Sequence, residues 1–225
     1  MTGKERITNF VVRSIIKLTC TVDDRELDRL PLSGPYIVVT NHINFLEVPL
    51  LYLWCLPRKI AALVKEETWD NPVFRHLADM WGGIPVNRNA SDTRAIRLGI
   101  DALKKKKVLI IAPEGTRSRD GRLRQGRAGA VLLAMKGGVP IYPLAHWGGE
   151  NYFHNLKGFR KTRITIKSGE PFFINQENAR EIRKYRKETA DALMYRIAEL
   201  MPKKYRGIYD SECPVEGAAF LKPLA

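Results

Sequence analysis

The chain has 225 residues, enough for one domain with a substantial core. Its formal net charge of +14 favours anionic partners such as phospholipid headgroups, nucleic acid or acidic carrier proteins. Its three cysteines, without Cys-x-x-Cys spacing, argue against a disulfide framework or a zinc site. It contains no uncharged apolar run of about 18 residues, so a membrane-spanning helix is not expected.

The first thirty residues contain an amphipathic helical pattern. Apolar residues recur at three- and four-residue steps, with basic residues between them. The apolar residues are Ile7, Phe10, Val11, Ile15 and Leu18, and the basic residues are Lys4, Arg6, Arg13 and Lys17. This pattern predicts a membrane-surface helix within residues 1–30. The alternative is a first helix packed on the protein core.

Strand and helix patterns then alternate along the chain. The predicted strands are 36–40, 60–64, 84–86, 108–112, 141–145 and 163–167, the last with the alternation of an edge strand. The predicted helices are 45–56, 71–80, one capped by Ser91, 128–135 and a long basic helix within 177–201. This order predicts an α/β fold with a mixed, largely parallel central sheet covered by helices. We assign residues 31–205 to this domain and 206–225 to a C-terminal tail.

A histidine and a carboxylate form the first candidate site. His42 stands five residues before Glu47, and an imidazole with a carboxylate partner can take a proton from an attacking alcohol. On a regular helix, side chains five residues apart point about 140° away from each other. They can pair if His42 lies in a turn before a helix capped by Asn44. Alternatively, Asn44 and Glu47 are only a capping pair.

The segment from Pro113 to Arg117 forms the second candidate site. A turn that contains glycine lets backbone N–H groups converge on an anion. The planar guanidinium of Arg117 can bind two phosphate oxygens at once. The two sites together imply a substrate with a hydroxyl group beside a phosphate.

Four segments resemble, in order, the sequence blocks of the glycerolipid acyltransferase family. They are Asn41-His42-x-x-x-x-Glu47, residues 83–88, residues 113–118 and residues 139–143. The resemblance implies a peripheral or monotopic enzyme at the cytoplasmic face of the cell membrane. Such an enzyme moves an acyl group from acyl-CoA or acyl carrier protein to a lysophospholipid. Its best candidate acceptor is 1-acyl-glycerol 3-phosphate, which would give phosphatidic acid.

The resemblance also implies roles for individual residues. His42 is the expected general base, and Glu47 orients it. The residues expected to hold the acceptor phosphate are Arg88, Glu114, Gly115, Thr116 and Arg117. Glu114 would repel an anion, so we expect it to clamp a neighbouring arginine or the glycerol hydroxyl.

Two positions depart from the family's usual pattern. The family usually has Asp at position 47 and commonly Ser at position 44, where this chain has Glu47 and Asn44. A carboxylate that is one methylene longer needs a different helix start to reach the imidazole. The alternative function is therefore a catalytically weak or inactive family member that binds lipid or membrane surfaces.

Metal, cofactor and nucleic-acid functions are not expected. His76, His146 and His154 lack a second ligand at metal spacing, so we expect neither a metal ion nor a cofactor beyond the acyl donor. The basic run 104–107 suggests nucleic-acid binding. However, lysines are favoured at a helix C-terminus, and no motif that reads RNA or DNA accompanies the run.

Overall fold

The computed structural model describes residues 1–87, 92–175, 179–211, 213 and 218–224. Helices and strands alternate along these residues. The helices are α1 (Gly3–Thr19), α2 (Glu47–Trp54), α3 (Pro72–Met80), α4 (Thr93–Lys104), α5 (Ala128–Gly137), α6 (Tyr152–Lys157), α7 (Ala179–Lys184) and α8 (Arg186–Ala198). The strands are β1 (Cys20–Asp23), β2 (Tyr36–Thr40), β3 (Ile60–Lys65), β4 (Gly83–Val86), β5 (Val108–Ile111), β6 (Ile141–Trp147), β7 (Thr162–Ser168), β8 (Phe172–Ile174) and β9 (Leu221–Pro223).

The strands form one mixed sheet in the order β1-β7-β6-β2-β5-β3-β4, with β8 beside β6 and β9 beside β8. Strand β2 is central and parallel to both neighbours, because Val38 is in register with Ile110 of β5 and Tyr142 of β6. Strands β3 and β4 continue the parallel part of the sheet. Antiparallel pairing is found between β6 and β7, between β6 and β8, and between β8 and β9. The predicted fold class is therefore confirmed.

Two apolar cores lie on opposite faces of this sheet. Side chains of β2 alternate between them, with Ile37 and Val39 in one core and Tyr36 and Val38 in the other. Helices α4, α5 and α8 contribute to the first core, and α1 and α2 contribute to the second. All five residues of β2 are buried, as expected for a parallel strand covered on both faces. The centre of the sheet is thus a rigid support for whatever follows β2 and β5.

Three details differ from the sequence predictions. Strand β7 is internal, because β1 pairs with its outer side and forms the edge of the sheet. The long C-terminal helix is divided into α7 and α8 at Tyr185, whose ψ of 36° interrupts helical geometry. The N-cap of α4 is Asp92, whose carboxylate accepts the N–H of Ala95 at 2.9 Å. Ser91, the expected cap, lies outside the described residues.

Helix α1 packs against the domain on one side and is exposed on the other, and its role at a membrane surface stays a prediction. It packs towards α2 through buried Ile16 and buried Asn9, which accepts a hydrogen bond from the Trp81 indole N–H at 2.9 Å. Arg13 also faces inward, 5.0 Å from the centre of the Trp54 ring. The outer side exposes the five apolar residues of the predicted pattern, Ile7, Phe10, Val11, Ile15 and Leu18. No described helix is both long enough and apolar enough to cross a bilayer.

The segments before residue 31 and after residue 205 also join the domain. The N-terminal helix ends at Thr19, because residues 20–23 pair with β7 as a strand. In the predicted tail, β9 pairs with β8, and the Tyr209 hydroxyl bonds to Asp191 at 2.6 Å. Both ends of the chain therefore contribute to the sheet or to its helical cover.

Candidate active site

The candidate residues follow the carboxyl ends of neighbouring parallel strands. Strand β2 leads into His42, and its neighbour β5 leads into Glu114. Strand β4 leads towards Arg88, which lies outside the described residues. The carboxyl ends of parallel strands meet at one edge of a sheet, where ligands of open α/β sheets commonly bind. The fold therefore places the first and third sequence blocks side by side.

Glu47 is the first residue of α2 and reaches back to His42. One carboxylate oxygen bonds to Nδ1 of the imidazole, and the other accepts the N–H groups of Ile43 and Asn44. The Asn44 side chain in turn accepts the N–H of Leu46 at 2.8 Å. Helix α2 thus starts at residue 47, two residues later than predicted. This later start gives the longer Glu side chain the space it needs to reach the imidazole. The turn thus has the predicted His42–Glu47 pair, whereas the prediction that Asn44 caps α2 is wrong, because the N-cap is Leu46.

The contact with Glu47 fixes the chemistry that the imidazole can perform. A carboxylate can only accept a hydrogen bond, so in the neutral imidazole Nδ1 carries the hydrogen and Nε2 carries the lone pair. No described residue hydrogen-bonds to Nε2. His42 and Glu47 are both buried, which limits screening of their contact by water. The arrangement is that of a general base oriented by a carboxylate.

The loop after β5 is tied to the histidine turn by three hydrogen bonds. The N–H of His42 donates to Glu114 at 2.7 Å. In return, the carbonyl of His42 accepts the N–H of Ser118 at 2.8 Å, and that of Ile43 accepts the N–H of Arg119 at 3.3 Å. The two sequence blocks are therefore one structural unit, although 72 residues separate His42 from Glu114.

The carboxylate of Glu114 lies inside this unit and away from solvent. Its second oxygen accepts the backbone N–H of Arg124 at 3.0 Å, so both oxygens bind the protein backbone. Burial raises the pKa of Glu114 to about 8, against the opposing effect of the two N–H donors. The expected clamp on an arginine side chain is thus replaced by a contact with an arginine backbone. The sequence could not show this role, because the two backbone N–H groups that bind Glu114 belong to His42 and Arg124, which are distant from it in sequence.

The turn at residues 115–117 is open, in contrast to Glu114. Gly115 has a φ of 65°, a backbone conformation that residues with a side chain rarely adopt. The Arg127 side chain packs against this glycine. Thr116 and Arg117 are exposed. The guanidinium of Arg117 makes no hydrogen bond or ion pair with the part of the chain that the structure describes. It is accessible to an anionic ligand.

An apolar cleft begins at His42 and Glu47 and extends between α2 and the sheet. The cleft is narrow and partly open to solvent. Helix α2 supplies Val48, Leu51 and Tyr52, and the opposite wall includes Ala62, Leu63, Trp81 and Ile110. Tyr52 and Trp81 stack with their ring centres 5.2 Å apart. The cleft can hold a narrow apolar group next to the imidazole.

A second histidine supports the turn from behind and was not expected from the sequence. The Asn41 side chain donates to the carbonyl of His146 at 2.8 Å and accepts its N–H at 2.9 Å. The His146 ring lies 2.9 Å from the carbonyl of Asn41, and burial lowers its pKa. The signal in the sequence was only a pair of polar residues 105 positions apart. These bonds join the end of β2 to β6 directly before the catalytic candidate.

Comparison with known proteins identifies relatives of this chain. A bacterial relative, the 1-acyl-sn-glycerol-3-phosphate acyltransferase of Bacillus subtilis, is 27% identical over 195 residues, which cover 85% of this chain and 94% of that protein. A chloroplastic enzyme of the same description from Brassica napus is 33% identical over 129 residues, covering 56% of this chain. The chain spans only 37% of that plant protein and 35% of a similar one from Arabidopsis thaliana.

A solved structure shares the fold. The crystal structure of the 1-acyl-sn-glycerophosphate acyltransferase of Thermotoga maritima matches with a TM-score of 0.56 and 27% identity, over 84% of this chain and 80% of that one. The family model described as Acyltransferase matches residues 21–147, which contain the His42 turn, the Glu114 loop and both strands that carry them. This chain therefore belongs to the acyltransferase family.

Proposed function

We propose that this protein transfers a fatty acyl group from a thioester donor to the hydroxyl of a lysophospholipid. The best candidate acceptor is 1-acyl-glycerol 3-phosphate, the substrate in the names of the relatives from Bacillus subtilis and Brassica napus. The observation that carries the proposal is the His42–Glu47 pair at the mouth of an apolar cleft. Acyl-CoA and acyl carrier protein are both suitable donors, because both present the acyl group as a thioester.

His42 acts as the general base in this proposal. Its Nε2 takes the proton of the acceptor hydroxyl as the oxygen attacks the thioester carbonyl. Glu47 holds the ring and stabilises the imidazolium that forms. The tetrahedral intermediate then collapses, the thiol of the donor leaves and His42 returns the proton to it. No covalent acyl-enzyme is required.

The acceptor phosphate binds at the open turn. Arg117 provides a charged fork for two oxygens, and Gly115 supplies the positive φ that the turn requires. Thr116 offers a hydroxyl donor, and Arg88 is a further candidate from the second sequence block. Glu114 acts as a positioning residue that keeps this turn beside His42.

The acyl chain of the donor occupies the apolar cleft between α2 and the sheet. Its wall residues offer no charged group beyond Glu47, so they suit a hydrocarbon chain. The reacting carbonyl then lies near the imidazole at the mouth.

In this proposal the protein lies at the cytoplasmic face of the membrane, and the exposed stripe of α1 supports a membrane contact. Apolar side chains such as Phe10 and Leu18 can enter the headgroup region, and the nearby Lys4, Arg6 and Lys17 can contact anionic lipids. This peripheral placement brings the site to its lipid acceptor. The competing function is a weak or inactive protein that only binds lipid surfaces. The contact between Glu47 and His42 favours catalysis over that alternative.

The test is release of free thiol when the protein is mixed with a saturated acyl-CoA and 1-acyl-glycerol 3-phosphate. We expect release by the wild type and a loss of at least about a thousandfold in His42→Ala with an unchanged melting curve. Wild-type turnover by His42→Ala would remove the proposed base. No release with any acyl donor, together with intact vesicle binding, would favour the lipid-binding alternative.

A further inference from the structure

Helix α6 and the turn after it expose three large apolar side chains. Phe153 is 59% exposed, Leu156 is 42% exposed and Phe159 is 100% exposed. Phe159 also has a φ of 53°, which is unusual for a bulky residue. A phenyl ring in full contact with water and on a disfavoured backbone contributes nothing to the packing of this domain. We call these three residues the α6 patch.

The α6 patch adjoins the apolar stripe of α1. The Tyr152 hydroxyl at the start of α6 bonds to the Thr19 hydroxyl at the end of α1, at 3.4 Å. Beyond α6, the Lys161 ammonium donates to the carbonyl of Lys17 at 3.1 Å. Leu18, between these two α1 residues, is 74% exposed. The α6 patch therefore continues the exposed apolar surface beyond the C-terminal end of α1.

The α6 patch is also in direct contact with the turn that carries the candidate base. Phe153 stacks on Phe45, with ring centres 5.4 Å apart, and Phe45 lies between His42 and Glu47 in sequence. The Asn44 side chain of the same turn donates to the carbonyl of Gly149 at 2.6 Å. A surface that engages the α6 patch is thus only one aromatic ring away from the His42 turn.

The charges around the α6 patch identify the partner that it fits. Lys157, Arg160 and Lys161 are exposed beside its apolar side chains. Apolar side chains surrounded by lysine and arginine suit the interface of an anionic bilayer, where the rings enter and the cations bind phosphates. The net charge of +14 adds long-range attraction to such a surface.

We propose that the α6 patch is a second membrane-contact element, which inserts into an anionic bilayer beside α1 and holds the His42 turn at the lipid surface. This inference rests on the membrane-surface part of the proposed function and does not require acyl transfer. Two separate contacts fix the orientation of the domain on the membrane, whereas α1 alone leaves it free to rotate about the helix axis. The acceptor then meets the site without leaving the bilayer.

The test is co-sedimentation of the full chain with vesicles of phosphatidylcholine and phosphatidylglycerol. The test variants are Phe159→Ser and the double variant Leu156→Ser with Phe159→Ser. The matched control is Leu32→Ser, because Leu32 is 69% exposed and precedes β2, at the end of that strand opposite His42. We expect partitioning to fall about tenfold in the double variant, less in Phe159→Ser and not at all in the control.

Two results would overturn the inference. One is wild-type partitioning by the double variant. The other is a dimeric wild type that the same substitutions convert to a monomer, because the α6 patch would then bind a second copy of the chain. Since Phe159 is fully exposed, Phe159→Ser tests the contact even if the double variant folds poorly. The vesicle assay contains no substrate, so its outcome is independent of whether thiol is released.

Discussion

The turn that carries His42 and the turn that carries Arg117 lie side by side but are organised in opposite ways. The side chain of His42 is buried and fixed by Glu47, and its backbone bonds to Glu114 and Ser118. Arg117 is exposed and has no partner among the described residues. The His42 half of the candidate site is thus ordered by internal hydrogen bonds. The Arg117 half has exposed donors that a ligand can bind.

This difference follows from the chemistry that we assign to each turn. A general base needs a fixed position and tautomer, so hydrogen bonds that restrict it increase the rate. A phosphate-binding arginine needs vacant donors, because an internal partner would have to be displaced at a free-energy cost. Substitutions in the first turn should therefore lower kcat, and substitutions in the second should raise KM.

The largest effect is expected at Glu47. Glu47→Gln removes the charge that orients His42 and stabilises its imidazolium, so we expect kcat to fall by about 10³ to 10⁴. Glu47→Asp keeps the charge and should retain substantial activity. Steady-state kinetics and thermal melting of both variants provide the measurement. An inactive Glu47→Asp with an unchanged melting curve would mean that the turn needs the longer side chain.

A smaller effect, on KM, is expected at Arg117. Arg117→Ala removes a charge-assisted contact with the acceptor phosphate, so KM should rise by about ten- to a hundredfold while kcat changes little. Arg122→Ala, an exposed arginine of the same loop, controls for the loss of one positive charge. An equal rise in KM for a monoacylglycerol without phosphate would contradict the phosphate assignment.

The last prediction concerns Glu114, which joins the two turns, and it is an effect on stability instead of kinetics. Because its pKa is raised from 4.5 to about 8, the folded state keeps a proton that the unfolded state releases between those pH values. The free energy of unfolding of the wild type should therefore fall, relative to Glu114→Gln, by up to about 1.4 kcal/mol per pH unit in this range.

Denaturant unfolding of the wild type and of Glu114→Gln over this pH range measures the difference in their free energies of unfolding. The contributions of the other titrating groups cancel, because both proteins contain them. A wild type that gains stability relative to Glu114→Gln as the pH rises would mean that the two N–H donors outweigh burial. The carboxylate would then be charged in the folded state.

The sequence was sufficient to predict the fold class and, with it, the meeting of the His42 and Glu114 segments at one edge of the sheet. The alternation of buried β-branched strands with helices implies a parallel sheet, and residues after β2 and β5 must then meet at one edge. The sequence could not predict the role of Glu114, because burial of that carboxylate depends on contacts with His42 and Arg124 at a distance in sequence. Nor could the sequence predict the hydrogen bonds between Asn41 and His146, because these residues are 105 positions apart.

Local patterns were least informative at short peripheral elements. Strand β1 has four residues and α6 has six, too few to show a periodic signal. Missing β1 led directly to the description of β7 as an edge strand. The alternation in β7 comes from one buried face and one half-covered face, and an internal strand near the end of a sheet can show it as well.

Helix α2 couples two properties that protein engineers would prefer to adjust separately. The same helix supplies Glu47 to the imidazole and Val48, Leu51 and Tyr52 to the wall of the cleft. Any displacement of α2 that admits a bulkier acyl group also withdraws the carboxylate from the base, so substrate range would be gained at the expense of turnover. The opposite wall includes Ile110 of β5, a side chain that carries neither the base nor its carboxylate partner. Under the proposed function, a smaller residue at position 110 is therefore the better route to altered chain-length selectivity.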